Sequence, residues 1–144
     1  MEARFETFTV LINRISRSIR KIKIQEMAEY GLRSAHISCL YYLQREEGLT
    51  ATDLCERCEE DKATVSRALE YLKREGYLAD DDAAAKRYKA PLLLTEKGRT
   101  AAQKIAEKVD GVLAEVADVL TEEERCAFYR SLTAISDALE KRKE

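Results

Sequence analysis

The chain has 144 residues, of which 45% are hydrophobic and 36% are charged, and its formal net charge is −2 at pH 7. This length suits one domain with a real core, and the composition excludes a disordered, collagen-like or disulfide-rich protein. Since no apolar run approaches the roughly 20 residues that span a bilayer and no signal-peptide pattern opens the chain, we expect a cytoplasmic protein with reduced cysteines.

The N-terminal segment has the pattern of a long amphipathic helix. Few glycines and one proline favour a mainly helical chain. Apolar residues recur at alternating spacings of three and four, which predicts a helix packed lengthwise against other helices and ended by Gly31. The basic run from Arg14 to Lys23 is interpreted as its solvated face, with contact to DNA backbone as the alternative. The seam consists of Phe5, Phe8, Ile12, Ile15, Ile19 and Ile22.

Three helices follow, and the exposed face of the third is unusual. We predict a helix over residues 34–47 that ends at Gly48, and a short helix opened by a capping box at residues 50–53. Residues 59–78 read EEDKATVSRALEYLKREGYL, with Asp61 as N-cap and Val65, Leu69 and Leu72 as a buried stripe. The opposite face is built from short polar side chains and one arginine: Ala63, Thr64, Ser66, Arg67 and Glu70.

The C-terminal half predicts a small hairpin and two more helices. Residues 77–79 and 87–94 are expected as strands around a loop at 80–86. Thr95 caps a long helix, and a capping box at residues 121–124 opens the last one. The positions expected to face inward are Ile105, Val109, Val112, Val116 and Leu120 in the first helix, and Phe128, Leu132, Ile135 and Leu139 in the second.

The predicted order of elements is that of a winged helix-turn-helix: two helices, a short turn, a third helix and a two-stranded hairpin. In such a lobe the N-terminal residues of the last helix contact base edges in the major groove of DNA. Small side chains at Ala63 and Ser66 would let the backbone come close, and Thr64 could hydrogen-bond to phosphate or base. Arg67 could pair with guanine, which is worth about 1–3 kcal/mol of discrimination. Lys62 lies beside the helix N-terminus, where phosphate is favoured.

Three segments carry a resemblance to a known family. Between Leu49 and Arg99 the chain contains the segments LTATDLCERC, EDKATVSRALEYLKREGYL and LLLTEKGR. This part of the chain resembles the DNA-binding half of the MarR family of bacterial transcription regulators. The resemblance implies a single domain over 1–144 that is mainly α, with a winged lobe at 33–95, a small β-hairpin wing, and dimerisation helices at 1–32 and 96–144.

The resemblance also implies partners and site residues. It implies a homodimer that binds a pseudo-palindromic site in double-stranded DNA, with a small-molecule pocket or redox-sensitive site between the dimer helices and the DNA-binding lobes. Repression is the expected mode, although the sequence does not separate it from activation. Recognition-helix positions of the family match Lys62, Thr64, Ser66 and Arg67, and Arg87, with Lys86 beside it, matches a wing arginine that enters the minor groove.

The wing departs from the family pattern. The family's wing usually pairs an aspartate with an arginine a few residues on, whereas here the aspartates cluster at residues 80–82, away from Arg87. Pro91 removes a hydrogen-bond donor from the returning strand, which predicts a bulged or short strand there.

The cysteines leave two interpretations open. Cys55 and Cys58 form a CxxC pair on a helix, a spacing used in metal and redox sites. A lone pair lacks further ligands, so packing in the core is the preferred reading and a thiol-based metal or oxidant sensor is the alternative. Cys39 and Cys126 lie on apolar-leaning helical faces, where no basic neighbour is expected.

An effector pocket is the expected place for several aromatic residues. Tyr30, His36, Cys39 and Tyr42 are its candidate lining residues. For His36 the preferred alternative is a helix-start residue bonded to the backbone, and for the tyrosines it is interface packing. With one histidine, no glycine-rich phosphate loop and no HExxH motif, we expect no enzyme and no cofactor. A winged-helix module that binds protein instead of DNA remains a further alternative.

Overall fold

The computed structural model describes residues 5–58, 60–80 and 90–143, and this part of the chain is mainly helical. No helix in these ranges is long and apolar enough to cross a membrane. The described residues form six α-helices with one 3-10 turn, Ala28–Tyr30, after the first: α1 (Phe5–Glu26), α2 (Ser34–Arg45), α3 (Ala51–Cys58), α4 (Lys62–Arg74), α5 (Glu96–Ala117) and α6 (Glu122–Lys141).

Two helices begin with the capping boxes that the sequence predicts. At α3 the Asp53 amide donates to Thr50 Oγ1 over 3.2 Å, and the Thr50 amide donates to Asp53 Oδ2 over 2.9 Å. The same exchange joins Thr121 and Glu124 at α6, over 3.1 and 3.0 Å. Each box satisfies two amides that the helix itself leaves without a partner, so these starts are encoded locally.

The first helix ends earlier than the sequence predicts. α1 stops at Glu26, and Gly31 instead ends the 3-10 turn that follows, in the left-handed conformation with φ 65°. The side chain of Met27 is only 1% exposed, and its backbone has left helical geometry at φ −110°. The chain therefore turns at the buried Met27, four residues before the glycine.

The chain divides into two compact units, residues 1–108 and 109–144. In the first unit α4 packs on α2 and α3, and its core includes Leu40, Leu54, Leu72 and Ile105, which are fully buried. In the second unit Val116 is 55% exposed although the sequence predicts that it faces inward. The exposed large apolar side chains of this unit are Leu113, Val116, Val119, Phe128, Tyr129, Ile135 and Leu139.

A β-hairpin wing is not seen in the described residues. The predicted strands meet in one antiparallel bridge between Leu78 and Leu94. The Ala79 amide donates to the Leu93 carbonyl over 2.9 Å, but the Leu92 amide donates to Leu49 over 2.8 Å. Pro91 has no backbone N–H to donate to the predicted partner strand. The N–H of Leu92 is bonded to Leu49, so it does not pair with that strand either. Residues 81–89, with most of the predicted loop and the start of the returning strand, lie outside the described part.

Gly98 fixes how closely α5 approaches the end of the helix-turn-helix. Its amide donates to Thr95 Oγ1 over 3.0 Å, and that hydroxyl donates to the Gly76 carbonyl over 2.6 Å. A Cβ atom on Gly98 would collide with the backbone carbonyl of Tyr77. The first turn of α5 is therefore held against the chain that follows α4.

Gly98→Ala should lower the free energy of unfolding by about 1–3 kcal/mol, because the added methyl group has to displace backbone. Urea denaturation measures this change. Gly111→Ala is the matched control, since a Cβ there meets nothing within 4 Å; this helical substitution should stabilise by about 0.5–1 kcal/mol. Equal stability changes in the two variants would contradict the close approach at Gly98.

Candidate nucleic-acid interface

α4 presents one face to the core and the other to solvent. Val65, Ala68, Leu69 and Leu72 are its buried residues, and they fix the rotation of the helix against α2 and α3. As the sequence predicts, the short polar side chains lie on the other side. Of the five candidate residues, Lys62, Ala63, Ser66 and Arg67 are exposed and Thr64 is half-buried.

Asp61 occupies the N-terminal end of α4. Its carboxylate accepts the Thr64 amide over 2.7 Å. Hydrogen bonds from Thr64, and secondarily the charge of Arg67, hold the pKa of Asp61 below its usual range. A carboxylate therefore already holds a first-turn amide, so an approaching phosphate would depend on the Lys62 side chain more than on the helix terminus.

The exposed face continues beyond the candidate residues. Arg74 lies seven residues after Arg67, so it projects from almost the same side of α4 two turns further along. Its guanidinium lies 5.6 Å from the centre of the Tyr71 ring. Lys73 is half-buried. The net charge of the chain hides this local excess of cations on α4, where Glu70 is the one acid.

His36 joins α2 to α4. Its ring stacks on Tyr71 with 4.3 Å between the centres and 20° between the planes. Its Nδ1 atom accepts the Arg33 amide over 3.0 Å, which is the backbone bond at a helix start that one interpretation of the sequence expects. Burial, and then the charge of Arg33, lower the pKa of His36 from its ordinary 6.5. Both influences favour the neutral form of the ring at the contact between the two helices.

Tyr30 lies beside Lys104 of α5, whose Nζ atom is 5.9 Å from the centre of the Tyr30 ring. A hydrogen bond with Tyr30 raises the pKa of Lys104. The Nζ atom of Lys97 lies 4.4 Å from the centre of the Tyr77 ring and donates to the Glu75 carbonyl over 2.7 Å. The sequence analysis missed both lysines; their spacing of seven along α5, which puts them on one helix face, was the available signal.

Cys39 and Tyr42 have a different set of neighbours. Cys39 is fully buried and lies near Cys58, and burial, followed by the nearby Cys58, raises the pKa of Tyr42. The four candidate pocket residues therefore have different neighbours: Cys39 and Tyr42 lie near Cys58, His36 stacks on Tyr71, and Tyr30 contacts Lys104. Lys23 of α1 lies near this cluster, and its Nζ atom donates to Ser38 Oγ over 3.1 Å.

The wing candidates for DNA contact and the alternative of a metal site are considered last. Lys86 and Arg87 lie outside the described residues. Within residues 5–58, 60–80 and 90–143, no group of three or more histidine, cysteine or acidic side chains is arranged to hold a metal ion. The preferred reading of the sequence places Cys55 in the core, but in the structure its side chain is only half-buried.

Comparisons with known proteins agree on one family. Residues 30–87 match the model of the MarR family. A MarR family transcriptional regulator from Silicibacter pomeroyi has a similar structure, with a TM-score of 0.71, 26% identity and coverage of 87% of this chain and 84% of that one. No curated protein matches the chain significantly.

Two further solved structures share the fold and were determined with bound molecules. Staphylococcus aureus MepR in complex with DNA matches with a TM-score of 0.80 and 22% identity, over 92% of this chain and 96% of that one. A Mycobacterium tuberculosis MarR family protein in complex with salicylic acid matches with a TM-score of 0.65 and 22% identity, over 93% and 97%. At these identities the likeness concerns the fold.

The neutral state of His36 makes stability depend on pH. Because its folded pKa lies below the unfolded value of 6.5, the unfolded chain binds more protons as the pH falls, and the fold loses stability there. Well above the unfolded pKa of 6.5 the ring is neutral in both the folded and the unfolded chain, and the effect vanishes. His36→Asn keeps an acceptor for the Arg33 amide but does not titrate. Urea denaturation at about pH 7.5 and 5.5 should show a smaller loss in the variant, and equal losses would contradict the lowered pKa.

Proposed function

We propose that the chain is a transcription regulator of the MarR family, whose model matches residues 30–87, and that it binds double-stranded DNA with the first two turns of α4. The observation that carries this proposal is the division of α4 into a buried apolar face and an exposed face of short side chains and cations. The family that matches consists of regulators, and no enzymatic family is indicated by these matches.

The residues of α4 have different roles in this proposal. Ala63 and Ser66 leave room for the helix backbone to enter the major groove. Arg67 reads a base, since its guanidinium can donate two parallel hydrogen bonds to the O6 and N7 atoms of guanine. Lys62 neutralises a phosphate, which adds affinity without sequence preference. Thr64 is half-buried, so it supports a phosphate contact better than a base contact.

The wing would supply a second contact. Lys86 and Arg87 are proposed to reach the minor groove beside the site of α4, as their match to the family pattern implies. A long cation suits that groove because its negative potential increases where it narrows. The aspartates at residues 80–82 would oppose this contact through repulsion of phosphate.

We propose that the regulator is a homodimer. Each unit leaves large apolar side chains in solvent: Ile15 and Ile19 are about half-exposed on α1, and Val119 and Leu139 are exposed in the second unit. Exposed apolar side chains in such numbers favour coverage by a protein partner. Two α4 helices about one DNA turn apart, roughly 34 Å, would then read a pseudo-palindrome, so helices 1–32 and 96–144 would serve dimerisation around a lobe at 33–95.

A small aromatic acid is the proposed class of effector. The similar M. tuberculosis protein was determined with salicylic acid, and in this chain Tyr30 and His36 lie among the lysines and tyrosines described above. An effector that favours one spacing of the two DNA-binding lobes would release DNA, with repression as the expected mode. The regulator would act in the cytoplasm, where it meets the chromosome.

Arginine-to-alanine changes at two positions of α4 test the DNA contact. Arg67→Ala should remove preference at one base position in each half-site, at a cost of about 1–3 kcal/mol of binding. Arg74→Ala is the matched control, because it removes the same side chain from the same helix face two turns further on. The control should keep the base preference. Fluorescence anisotropy with single-base variants of the site measures both.

Lys62→Ala should weaken binding to all sequences alike and lower the salt dependence by about one unit of slope. An Arg67→Ala variant with unchanged affinity and base preference would contradict the placement of α4. Affinity that does not depend on salt would instead favour a module that binds protein.

Leu139→Lys should weaken the dimer, raising its Kd by about tenfold or more, because a charge replaces a buried apolar contact. Asp137→Lys introduces the same side chain on the opposite face of α6 and should leave the dimer intact. Sedimentation equilibrium measures both constants. Equal dissociation of the two variants would show that the apolar face of α6 is not the interface.

A further inference from the structure

His36 makes two specific contacts at the place where the first turn of α2 meets α4. Its ring stacks on the ring of Tyr71, with 4.3 Å between the centres and 20° between the planes. Its Nδ1 atom accepts the backbone N–H of Arg33 over 3.0 Å. A ring nitrogen that accepts a hydrogen bond carries no proton, so the ring is neutral and its proton is on Nε2. Since the Arg33 N–H can only donate, no other tautomer fits this contact.

Protonation of His36 would remove one of these contacts directly. In the imidazolium both ring nitrogens are donors, so the new N–H on Nδ1 would point at the N–H of Arg33 and two donors would meet. The half-buried ring then has to leave the position that this hydrogen bond holds, and with it the place on Tyr71. The contact between α2 and α4 therefore depends on the charge of one side chain.

The surroundings of this contact disfavour a further positive charge. Two cations face it in the described part of the chain: Arg33 directly precedes α2, and the guanidinium of Arg74 lies 5.6 Å from the centre of the Tyr71 ring. Burial, followed by the charge of Arg33, lowers the pKa of His36. Tyrosine hydroxyls ionise only near pH 10, so the imidazole is the member of the stack that changes its charge between about pH 5 and 8.

Tyr71 connects this contact to the proposed DNA-binding face. Its side chain is half-buried, on the flank between the buried and the exposed side of α4. Arg67 lies four residues earlier, so the two side chains are neighbours along the helix. The buried residues fix the rotation of α4 about its axis, whereas a contact on the flank resists a change in its angle to α2. Since the first turn of α4 lies about 10 Å along the axis from Tyr71, a small change in this angle displaces that turn.

We propose that neutral His36 positions α4 for DNA through Tyr71, so that the chain binds DNA at neutral pH and releases it when His36 takes up a proton. His36 is a positioning residue in this mechanism, because it acts through Tyr71. This role rests on the proposed function and adds a regulation to it. One stacked ring pair and one hydrogen bond depend on the proton, so the expected change in affinity is about tenfold.

Thermodynamic linkage requires the reciprocal effect. If protonation of His36 weakens DNA binding, then DNA binding must oppose protonation, and the acid constant of His36 must change by the same factor as the affinity. The pKa of His36 should therefore be lower in the DNA complex than in the free chain. The negative potential of DNA alone would raise that pKa, so the direction separates the proposed mechanism from the general effect of the phosphates.

The contact is tested first on the full-length chain without DNA. Since His36 is the only histidine of the chain, its ring gives one set of signals in a long-range proton–nitrogen correlation spectrum. At about pH 7.5 the spectrum should show Nδ1 without a proton, and the ring should give a nuclear Overhauser effect to Tyr71 that disappears as the ring is protonated. A proton on Nδ1 at this pH, or an Overhauser effect that survives protonation, would overturn the proposal.

Affinity for a selected DNA site is then measured by fluorescence anisotropy at about pH 7.5 and 5.5, with the concentration of folded chain fixed by circular dichroism. The unchanged chain should lose about tenfold in affinity at the lower pH. His36→Phe keeps a ring for the stack but takes up no proton, so it should bind equally well at both pH values. A loss in acid by His36→Phe as large as that of the unchanged chain would overturn the role of His36.

Two substitutions of Tyr71 test the transmission to α4. Tyr71→Phe keeps the stacked ring and should retain the pH dependence of binding. Tyr71→Leu removes the ring and should bind DNA more weakly, with an affinity that does not depend on pH. An unchanged pH dependence in Tyr71→Leu would overturn the transmission through Tyr71.

Failure of the proposed function gives a different result. A chain that binds no selected DNA at neutral pH would refute the function, whereas the spectra of the free chain would still decide whether the contact of His36 with Tyr71 depends on protonation. A DNA complex in which the pKa of His36 equals or exceeds that of the free chain would overturn the coupling between His36 and α4.

Discussion

The burial of one face of α4 between α2 and α3 is the constraint on which the other features depend. Leu72 and Val65 fix the rotation of the helix, and this rotation decides that Ser66 and Arg67 point to solvent. Because a protein interior is packed as densely as a crystal, a turn of α4 about its axis would break the core before it changed the surface. The rigidity of the candidate interface is thus a property of the core beneath it.

α2 contacts both of the other helices of the helix-turn-helix. His36 stacks on Tyr71 of α4, and Cys39, three residues further along α2, lies beside Cys58 at the end of α3. The charge of the His36 ring can change by protonation, so the contact that joins α2 to α4 depends on pH.

Local patterns were enough to predict much of this structure. The capping boxes at Thr50 and Thr121 and the N-cap at Asp61 need only residues within one turn, and the buried stripe of α4 follows from helical periodicity. The early end of α1 could not be predicted, because it depends on burial of Met27 against distant parts of the chain. The closeness of Cys39 and Cys58 likewise joins residues that no spacing rule connects, whereas the CxxC spacing paired Cys58 with Cys55.

The central claim is that α4 reads a specific DNA sequence, and selection from a random DNA library at two salt concentrations tests it most directly. The account predicts enrichment of a pseudo-palindrome by the reduced chain, with affinity that falls steeply as salt rises. Two half-sites about 10 base pairs apart would match two α4 helices on one face of the duplex. No enriched sequence at low salt, or binding that ignores salt, would contradict it.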